Sequence, residues 1–256
     1  MIKDGIDISY CNNTYSKIDF AQVKKQVGFC IIRVGYRGYG DGSLREDKWW
    51  KYNVNGCIEH NIPFGVYFFT QAITPKEAEE EAWFVVERVR GLKLDYPIYI
   101  DTEESGHRQN LGRADHLTPN IRTECIKTFC KTIELAGYYA GIYCSENWIN
   151  NMLHYPDLKA FDFWIANWNR KPKLECGMWQ LSAKGMCDGI KGYVDVNKTF
   201  KNYPAIMKNN NLNGYSAEQN VWQVTIWGLS DDEYKEVCDW LKEKDFPHDD
   251  KVVKEE

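Results

Sequence analysis

The chain has 256 residues, a net charge of −5 and a hydrophobic fraction of 43%. This length suits one large α/β barrel or two small domains, and the acidic balance provides no basic surface for nucleic acid. No apolar run reaches the length of a membrane span, and the first residues contain none of signal-peptide length. The nine cysteines are scattered, which indicates reduced, buried thiols made in a reducing cytoplasm rather than disulfides or a metal site.

Short apolar runs with the character of buried strands recur along most of the chain. Eight strand candidates lie near residues 5–9, 29–36, 64–70, 96–103, 139–144, 163–168, 177–182 and 193–197. Amphipathic helical patterns separate the first five, so we expect parallel strands with right-handed crossovers. Eight such strands close into a (β/α)8-type barrel of the α/β class. Short loops join the last three candidates, which predicts an irregular barrel there.

An open, doubly wound sheet is the alternative arrangement of alternating strands and helices. It requires a glycine-rich phosphate-binding turn directly after the first strand. Residues 9–13, Ser-Tyr-Cys-Asn-Asn, contain no glycine. The sequence therefore favours the closed barrel.

Two carboxylates stand at the end of the fourth strand candidate, in the motif Asp101-Thr102-Glu103. Successive side chains of a strand point to opposite faces, so Asp101 and Glu103 point the same way, with Cβ atoms roughly 6–7 Å apart. That separation suits two carboxyl groups that share one sugar linkage. The alternative is an ordinary strand that runs out into an acidic loop, and this motif alone does not decide between them.

Two further acids lie on strands that a closed barrel makes neighbours. Asp7 is on the first strand candidate and Asp195 is on the eighth. The carboxyl ends of barrel strands form the face where active sites lie, so we expect all four acids in one cleft. When like charges lie so close together, the pKa of at least one of the groups is raised, as a general acid requires near neutral pH. Taken singly, Asp7 or Asp195 could instead be a strand-end aspartate that binds loop amides.

Eight segments that carry these features resemble the glycoside hydrolase family 25 lysozymes, the N-acetylmuramidases of bacteriophages, bacteria and some fungi. The matching segments are 5–9, 29–36, 62–67, 97–103, 141–143, 164–168, 179–180 and 189–197. They follow the order of the family over about residues 1–203. The resemblance implies an irregular β/α barrel, in agreement with the strand count.

The resemblance also implies an activity, the cleavage of the β-1,4 bond between N-acetylmuramic acid and N-acetylglucosamine in peptidoglycan. By match to the motif, Glu103 would be the general acid that protonates the leaving oxygen. Asp101 would orient and polarise the 2-acetamido group or stabilise the developing positive charge. Asp7 and Asp195 would hold the substrate and tune the pair. We hypothesise a substrate-assisted, retaining route, although strand geometry alone leaves the stereochemical outcome open.

Five other residues match positions that face the groove of the family. Tyr67, Trp168 and Trp179 match aromatic positions that line it, and Trp168 stands where the family usually has an aromatic residue, often tyrosine. Arg33 and Tyr36 are further candidates for the same groove. The resemblance implies no cofactor and no metal.

The remainder of the chain departs from the family pattern. Residues 221–227 have the pattern of a strand, and a capping box at 230–233 begins a helix. One strand and one helix cannot bury a core alone, so we expect the piece to target the cell wall or mediate self-association. A docked appendage without a binding role is the alternative. The expected organisation is a catalytic barrel at 1–205, a linker at 206–214, a small β-α extension at 215–247 and a charged tail at 248–256.

The sequence therefore predicts a peptidoglycan hydrolase that binds glycan strands, of the phage endolysin type. We expect it to be made in the host cytoplasm without a signal peptide and to act on the bacterial wall after release. One alternative is a catalytically silent wall-binding protein on the same fold, which would not need the intact acids. Another is a chitin-type β-1,4-glycosidase, whose longer acidic signature is missing before Asp101.

Overall fold

The structure, a computed structural model, describes residues 4–105, 112–215 and 230–243. Those up to residue 215 belong to one compact unit, and those from 230 to 243 belong to a second. The strand predicted at 221–227 and the charged tail predicted at 248–256 lie outside the described residues.

Within the first unit, strands and helices alternate through most of the described chain. The strands are β1 (Gly5–Ile8), β2 (Phe29–Arg37), β3 (Leu44–Glu46), β4 (Phe64–Phe69), β5 (Ile98–Asp101), β6 (Ala140–Ser145), β7 (Asp162–Ala166), β8 (Met178–Gly185) and β9 (Val194–Thr199). The α-helices are α1 (Phe20–Val23), α2 (Trp50–Glu59), α3 (Pro75–Val89), α4 (Pro119–Leu135), α5 (Glu146–Asn151) and α6 (Tyr203–Asn209). Short 3-10 helices lie at Tyr10–Asn13 and Tyr155–Leu158.

Eight of these strands close into a barrel. Their order around it is β1, β2, β4, β5, β6, β7, β8 and β9, and β9 pairs with β1 to complete the circle. The short β3, which the sequence analysis missed, forms a hairpin with β2 outside the ring. The predicted irregular (β/α)8-type barrel is thus confirmed.

The last strand runs in the direction opposite to that predicted. β9 is antiparallel to both β8 and β1, whereas the other neighbouring pairs of the barrel are parallel. A parallel crossover needs a dozen or more residues, usually with a helix, and residues 186–193 are too few for one. The reversed strand places Asp195 near its start, at the same end of the barrel as the carboxyl ends of the other strands.

The two faces of the barrel strands bury different side chains. Outward-facing residues such as Ile6, Ile32 and Ile100 are aliphatic and form one core with the surrounding helices. Inward-facing residues are mainly aromatic, and the ring centroids of Tyr143 and Trp164 lie 4.4 Å apart. The filled interior gives the strands a rigid setting, so the side chains at its open end are held in place.

The predicted linker at 206–214 is instead part of the barrel unit. Its first residues belong to α6, whose Met207 is fully buried in the inner core. Asn213 is also fully buried, donates through Nδ2 to the carbonyl of Tyr96 at 2.8 Å and accepts from the amide of Tyr139 at 2.7 Å. These buried hydrogen bonds fix the segment, although its polar composition is typical of a linker.

The second unit contains helix α7 (Asp231–Glu243). It begins as the capping-box pattern predicts, because the Ser230 hydroxyl donates to Glu233 Oε2 at 2.7 Å and accepts from the Glu233 amide at 3.4 Å. Wall targeting or self-association by this part of the chain stays a prediction. In the described parts of both units, no helix combines the length and apolar character needed to cross a bilayer.

Candidate active site

Four acidic side chains converge at the open end of the barrel: Asp7, Asp101, Glu103 and Asp195. Asp7 on β1 is directly opposite Asp195 in the β1–β9 pairing. Tyr143 on β6 lies close to all four. Burial raises the pKa of its hydroxyl well above the ordinary value, and the charges of the four acids raise it further. The structure therefore brings together the four carboxylates that the sequence predicted.

Asp7 is a buried carboxylate held by two amides. Its Oδ2 accepts hydrogen bonds from Gln180 Nε2 at 3.0 Å and from Asn197 Nδ2 at 2.8 Å. Burial raises the pKa of Asp7 most, the charge of Asp195 raises it further, and the two amides lower it. The net result is a pKa of Asp7 well above its ordinary value.

Gln180 and Asn197 were not predicted as site residues. Gln180 Oε1 also accepts from the Tyr143 hydroxyl at 3.0 Å, and Asn197 Oδ1 accepts from Trp164 Nε1 at 2.8 Å. Each amide therefore joins Asp7 to the aromatic interior. The sequence does contain a signal for Asn197, because it follows Asp195 by two residues in β9 and therefore lies on the same face of the strand.

Asp101 is the more deeply buried of the two motif carboxyl groups. It is 4% exposed, and its Oδ1 has no hydrogen-bond partner within the described part of the chain. Burial, then the charges of Glu103 and Asp7, raise the pKa of Asp101 well above its ordinary value, and Arg33 opposes this. A buried oxygen without a donor is costly, so this atom is prepared to accept a hydrogen bond from a bound ligand.

Glu103 lies two residues farther along, just beyond β5, and is partly exposed. Burial, followed by the charge of Asp195, raises its pKa to about 7. Burial likewise raises the pKa of Asp195 to about 6. A carboxyl group with a pKa near 7 can donate a proton at neutral pH, which is the property of a general acid.

The main chain around Glu103 is fixed on both sides. Before it, the amide of Thr70 donates to the carbonyl of Asp101 at 3.0 Å. After it, the carboxylate of Asp115 accepts from the Ser105 hydroxyl at 2.7 Å and from the Gly112 amide at 2.8 Å. Among the described residues, nothing donates a hydrogen bond to the Glu103 carboxylate itself. Its direction therefore depends on these main-chain contacts.

The predicted aromatic residues divide into two groups. Tyr67 lies on the inner face of β4, edge-to-face with Trp164 at 6.1 Å, and Trp168 is 61% exposed while its Nε1 donates to Gln180 at 3.1 Å. Both therefore adjoin the acids. Trp179 alternates with Gln180 and lies on the opposite face of β8, where Nε1 donates to the Asn167 carbonyl at 2.8 Å. The structure thus places Trp179 outside the barrel interior, beside Asn167, and its contact with a substrate in the groove stays a prediction.

Arg33 and Tyr36 lie toward the open end of β2. A bulge between Arg33 and Gly35 shifts the register, so Arg33 and Tyr36 pair with the inward-facing Tyr67 and Phe69. The Arg33 guanidinium forms a 2.8 Å ion pair with Asp47, a buried residue that the sequence analysis did not identify. Arg33 also lies 5.4 Å from the centroid of the Tyr36 ring. It is therefore held rigidly beside the acids.

The arrangement suits acid–base chemistry. Two carboxyl groups of raised pKa sit beside a carboxyl oxygen without a donor, and aromatic rings border them. No group of three or more histidine, cysteine, aspartate or glutamate side chains in the described ranges is arranged to hold a metal ion. This geometry can transfer a proton to a leaving oxygen and stabilise positive charge on a neighbouring carbon.

Solved structures of known proteins resemble this one. The modular autolysin LytC from Streptococcus pneumoniae, in complex with a synthetic peptidoglycan ligand, is 29% identical with a TM-score of 0.65 over 75% of this chain. The matched region is 45% of LytC, so this chain spans less than half of that protein. The bacterial lysozyme from Streptomyces coelicolor is 21% identical with a TM-score of 0.64, and the match covers 80% of this chain and 97% of that one.

A third structure shows the same fold at lower similarity. The catalytic domain of an endolysin from a bacteriophage of Listeria monocytogenes is 21% identical with a TM-score of 0.60, over 81% of this chain and 98% of that one. No curated protein matches the chain significantly. The family model of the glycosyl hydrolases family 25 matches residues 6–190, which include the acids Asp7, Asp101 and Glu103. Because this match covers well over half of the chain, the chain belongs to the glycosyl hydrolases of family 25.

Proposed function

We propose that this chain hydrolyses peptidoglycan by cleaving the β-1,4 bond between N-acetylmuramic acid and N-acetylglucosamine. The observation that carries the proposal is the pairing of Glu103, whose pKa is about 7, with the buried Asp101, whose Oδ1 lacks a donor. Family membership and the resemblance to an autolysin solved with a peptidoglycan ligand support it. In this proposal, Glu103 is the general acid.

The first step breaks the glycosidic bond. The Glu103 proton passes to the leaving oxygen as the carbonyl oxygen of the substrate 2-acetamido group attacks the anomeric carbon. Asp101 Oδ1 accepts the acetamido N–H, which increases the electron density on that carbonyl and provides the missing donor. The product is a cyclic oxazolinium ion, paired with the negative charge of Asp101.

The second step opens the ring with water. Glu103, now ionised, removes a proton from a water molecule whose oxygen attacks the anomeric carbon, and the acetamido oxygen leaves. Configuration at the anomeric carbon is thus retained after two inversions. Asp195 keeps negative potential near the ring and so favours the protonated form of Glu103 between turnovers.

The test compares products from purified peptidoglycan for the wild type, Glu103→Gln and Glu104→Gln. Glu104 is the adjacent, exposed glutamate and serves as a matched control. We expect reducing N-acetylmuramic acid ends by mass spectrometry, a roughly 10²–10⁴-fold slower Glu103→Gln and an unchanged Glu104→Gln. Proton NMR at early times should show the β-anomer first.

Other results would contradict the proposal. Reducing N-acetylglucosamine ends would mean that the neighbouring bond is cut, and an initial α-anomer would contradict the retaining route. Wall binding without cleavage by the wild type would favour the silent binder. Use of the enzyme by a phage to lyse its host from the cytoplasm stays a prediction, for which the resemblance in fold to a phage endolysin is a support.

A further inference from the structure

Three large side chains project into solvent from loops at the open end of the barrel. Tyr15 and Met186 are each 77% exposed, and Tyr193 is 65% exposed. Tyr15 belongs to the segment between β1 and α1, and the other two belong to the hairpin between β8 and β9. Isolated apolar side chains are common on surfaces, but neighbouring ones beside a cleft indicate a binding surface.

Tyr193 continues the wall of the candidate site. It stands directly before the first residue of β9 and two residues before Asp195, at the open end of the barrel. Asp195 faces the other acids, and Tyr193 is one step nearer to solvent. A ligand that extends from the acids over Asp195 therefore meets Tyr193.

The hairpin that carries Tyr193 is anchored. Cys187 and Ile190 are buried in the outer core, and the carbonyl of Gly189 accepts the amide of Asp19 at 2.9 Å. These contacts tie the hairpin to the segment that carries Tyr15. An anchored surface loses little conformational entropy when a ligand binds.

Gly192 brings the two tyrosines together. Its φ of +95° is a conformation that favours glycine, and a Cβ at this position would lie 3.8 Å from the Tyr15 ring. The Tyr15 ring thus lies against the main chain of Gly192, the residue next to Tyr193. Tyr15 and Tyr193 are therefore neighbours at the mouth of the barrel, and both are exposed.

We propose that Tyr15 and Tyr193 form a platform that binds a further N-acetylhexosamine ring of the glycan strand, beyond the rings that contact the acids. This inference rests on the proposed function. A tyrosine offers an apolar ring face and a polar hydroxyl, which match the C–H face and the hydroxyl groups of a pyranose. The platform makes the enzyme prefer long strands over short fragments.

The test measures kcat and KM for Tyr15→Ala, Tyr193→Ala and the double variant. The substrates are long glycan strands freed of peptide and a tetrasaccharide of the same repeat. We expect the KM of the double variant for long strands to rise roughly tenfold, the equivalent of about 1.4 kcal/mol, with kcat and the tetrasaccharide unaffected. The control is Trp83→Ala, an aromatic residue on α3 that is 37% exposed and should change neither substrate.

Two results would overturn the platform. The first is a KM of the double variant for long strands that equals the KM of the wild type. The second is an equal rise in KM for both substrates, which indicates a general loss of loop structure. A dimer that the double variant loses while its KM stays unchanged would identify the patch as a contact between copies instead. Binding of long strands to Glu103→Gln, with and without Tyr193→Ala, tests the platform even if the proposed bond is not the one cleaved.

Discussion

The two ends of the barrel interior each hold a buried aspartate, and their surroundings differ. Asp162, on the inner face of β7 at the closed end, accepts hydrogen bonds or an ion pair at 2.8–3.3 Å from Phe163, Gly177, Tyr139, Tyr203 and Lys201. Asp101, at the open end, has an oxygen without any donor in the described part of the chain. A carboxylate with a full set of donors stabilises the fold, whereas one that lacks a donor stores a cost that a substrate can offset.

Exchanging each aspartate for asparagine should separate the two roles and gives the largest expected effect. Asp101→Asn should lower activity on peptidoglycan roughly 10²–10³-fold and leave stability equal or higher, because it removes charge repulsion in the cluster. Asp162→Asn should keep most activity at low temperature but lose roughly 1–3 kcal/mol in the free energy of unfolding. Urea unfolding and rate measurements on both variants check this.

Reversed effects would contradict the catalytic role of Asp101 and the structural role of Asp162. An Asp101→Asn enzyme with normal rates would show that the missing donor has no catalytic meaning. An Asp162→Asn protein with normal stability would show that its hydrogen bonds are replaceable by those of an amide.

The pH dependence of rate sharpens the same contrast. The pKa of Glu103 is raised to about 7, so the proton that catalysis needs is lost above that pH, and kcat/KM should fall about tenfold per pH unit. Asp195→Asn removes the charge that helps raise this pKa, so the alkaline limb should move to lower pH. An alkaline limb that is unchanged in this variant would contradict the electrostatic coupling of the two groups.

Stability should respond to pH with a defined sign. The folded state holds the Glu103 proton up to about pH 7, whereas the unfolded chain releases it near the ordinary glutamate pKa. The stabilisation is thus fully present below the unfolded pKa and is lost as pH rises through about 7. Relative to Glu103→Gln, the wild type should lose about 1–3 kcal/mol between pH 4 and pH 8, measured by urea unfolding. A constant difference across this range would contradict the raised pKa.

The amide of Gln180 allows a smaller test, since it links Asp7 to two aromatic residues. Gln180→Met keeps the volume but removes a hydrogen bond that lowers the pKa of Asp7, so this pKa should rise further. We expect a roughly tenfold lower kcat with an altered pH profile. Ser182→Ala, on the same strand, is the control. An unchanged profile would mean that Gln180 has a packing role only.

Local patterns predicted the acids well because period-two alternation and barrel closure are enough to bring them together. Asp101 and Glu103 needed only strand geometry, and Asp7 meets Asp195 because the first and last strands of a barrel are neighbours. The direction of β9 was missed, since it depends on the length of one connection rather than on the pattern of the strand.

Long-range hydrogen bonds were beyond the reach of local patterns. Asn213 lies in a polar stretch that composition assigns to a linker, yet its partners are Tyr96 and Tyr139, far away along the chain. Gln180 likewise gives no local signal, because a glutamine in a strand is typical of a solvent-exposed face. Their roles emerge only when the fold supplies the buried partners.

The smallest expected effect concerns the loop that carries Glu103. Asp115 Oδ2 accepts from the Ser105 hydroxyl and the Gly112 amide. Asp115→Asn keeps the shape of the side chain, but an amide nitrogen at this position donates instead of accepting, so these hydrogen bonds are weakened. Because Glu103 is directed by its main chain, we expect a roughly three- to tenfold lower kcat with an unchanged KM.

The loosened loop should also let water reach Glu103, so its pKa should fall toward the ordinary value and the alkaline limb should shift to lower pH. Asp157→Asn is the matched control, because Asp157 also forms a short contact, at 2.9 Å with His154, but on the exposed surface. A loss of thermal stability without any change in kcat or in the alkaline limb would make Asp115 a purely structural residue. It would then belong with Asp162, although it lies at the catalytic end of the barrel.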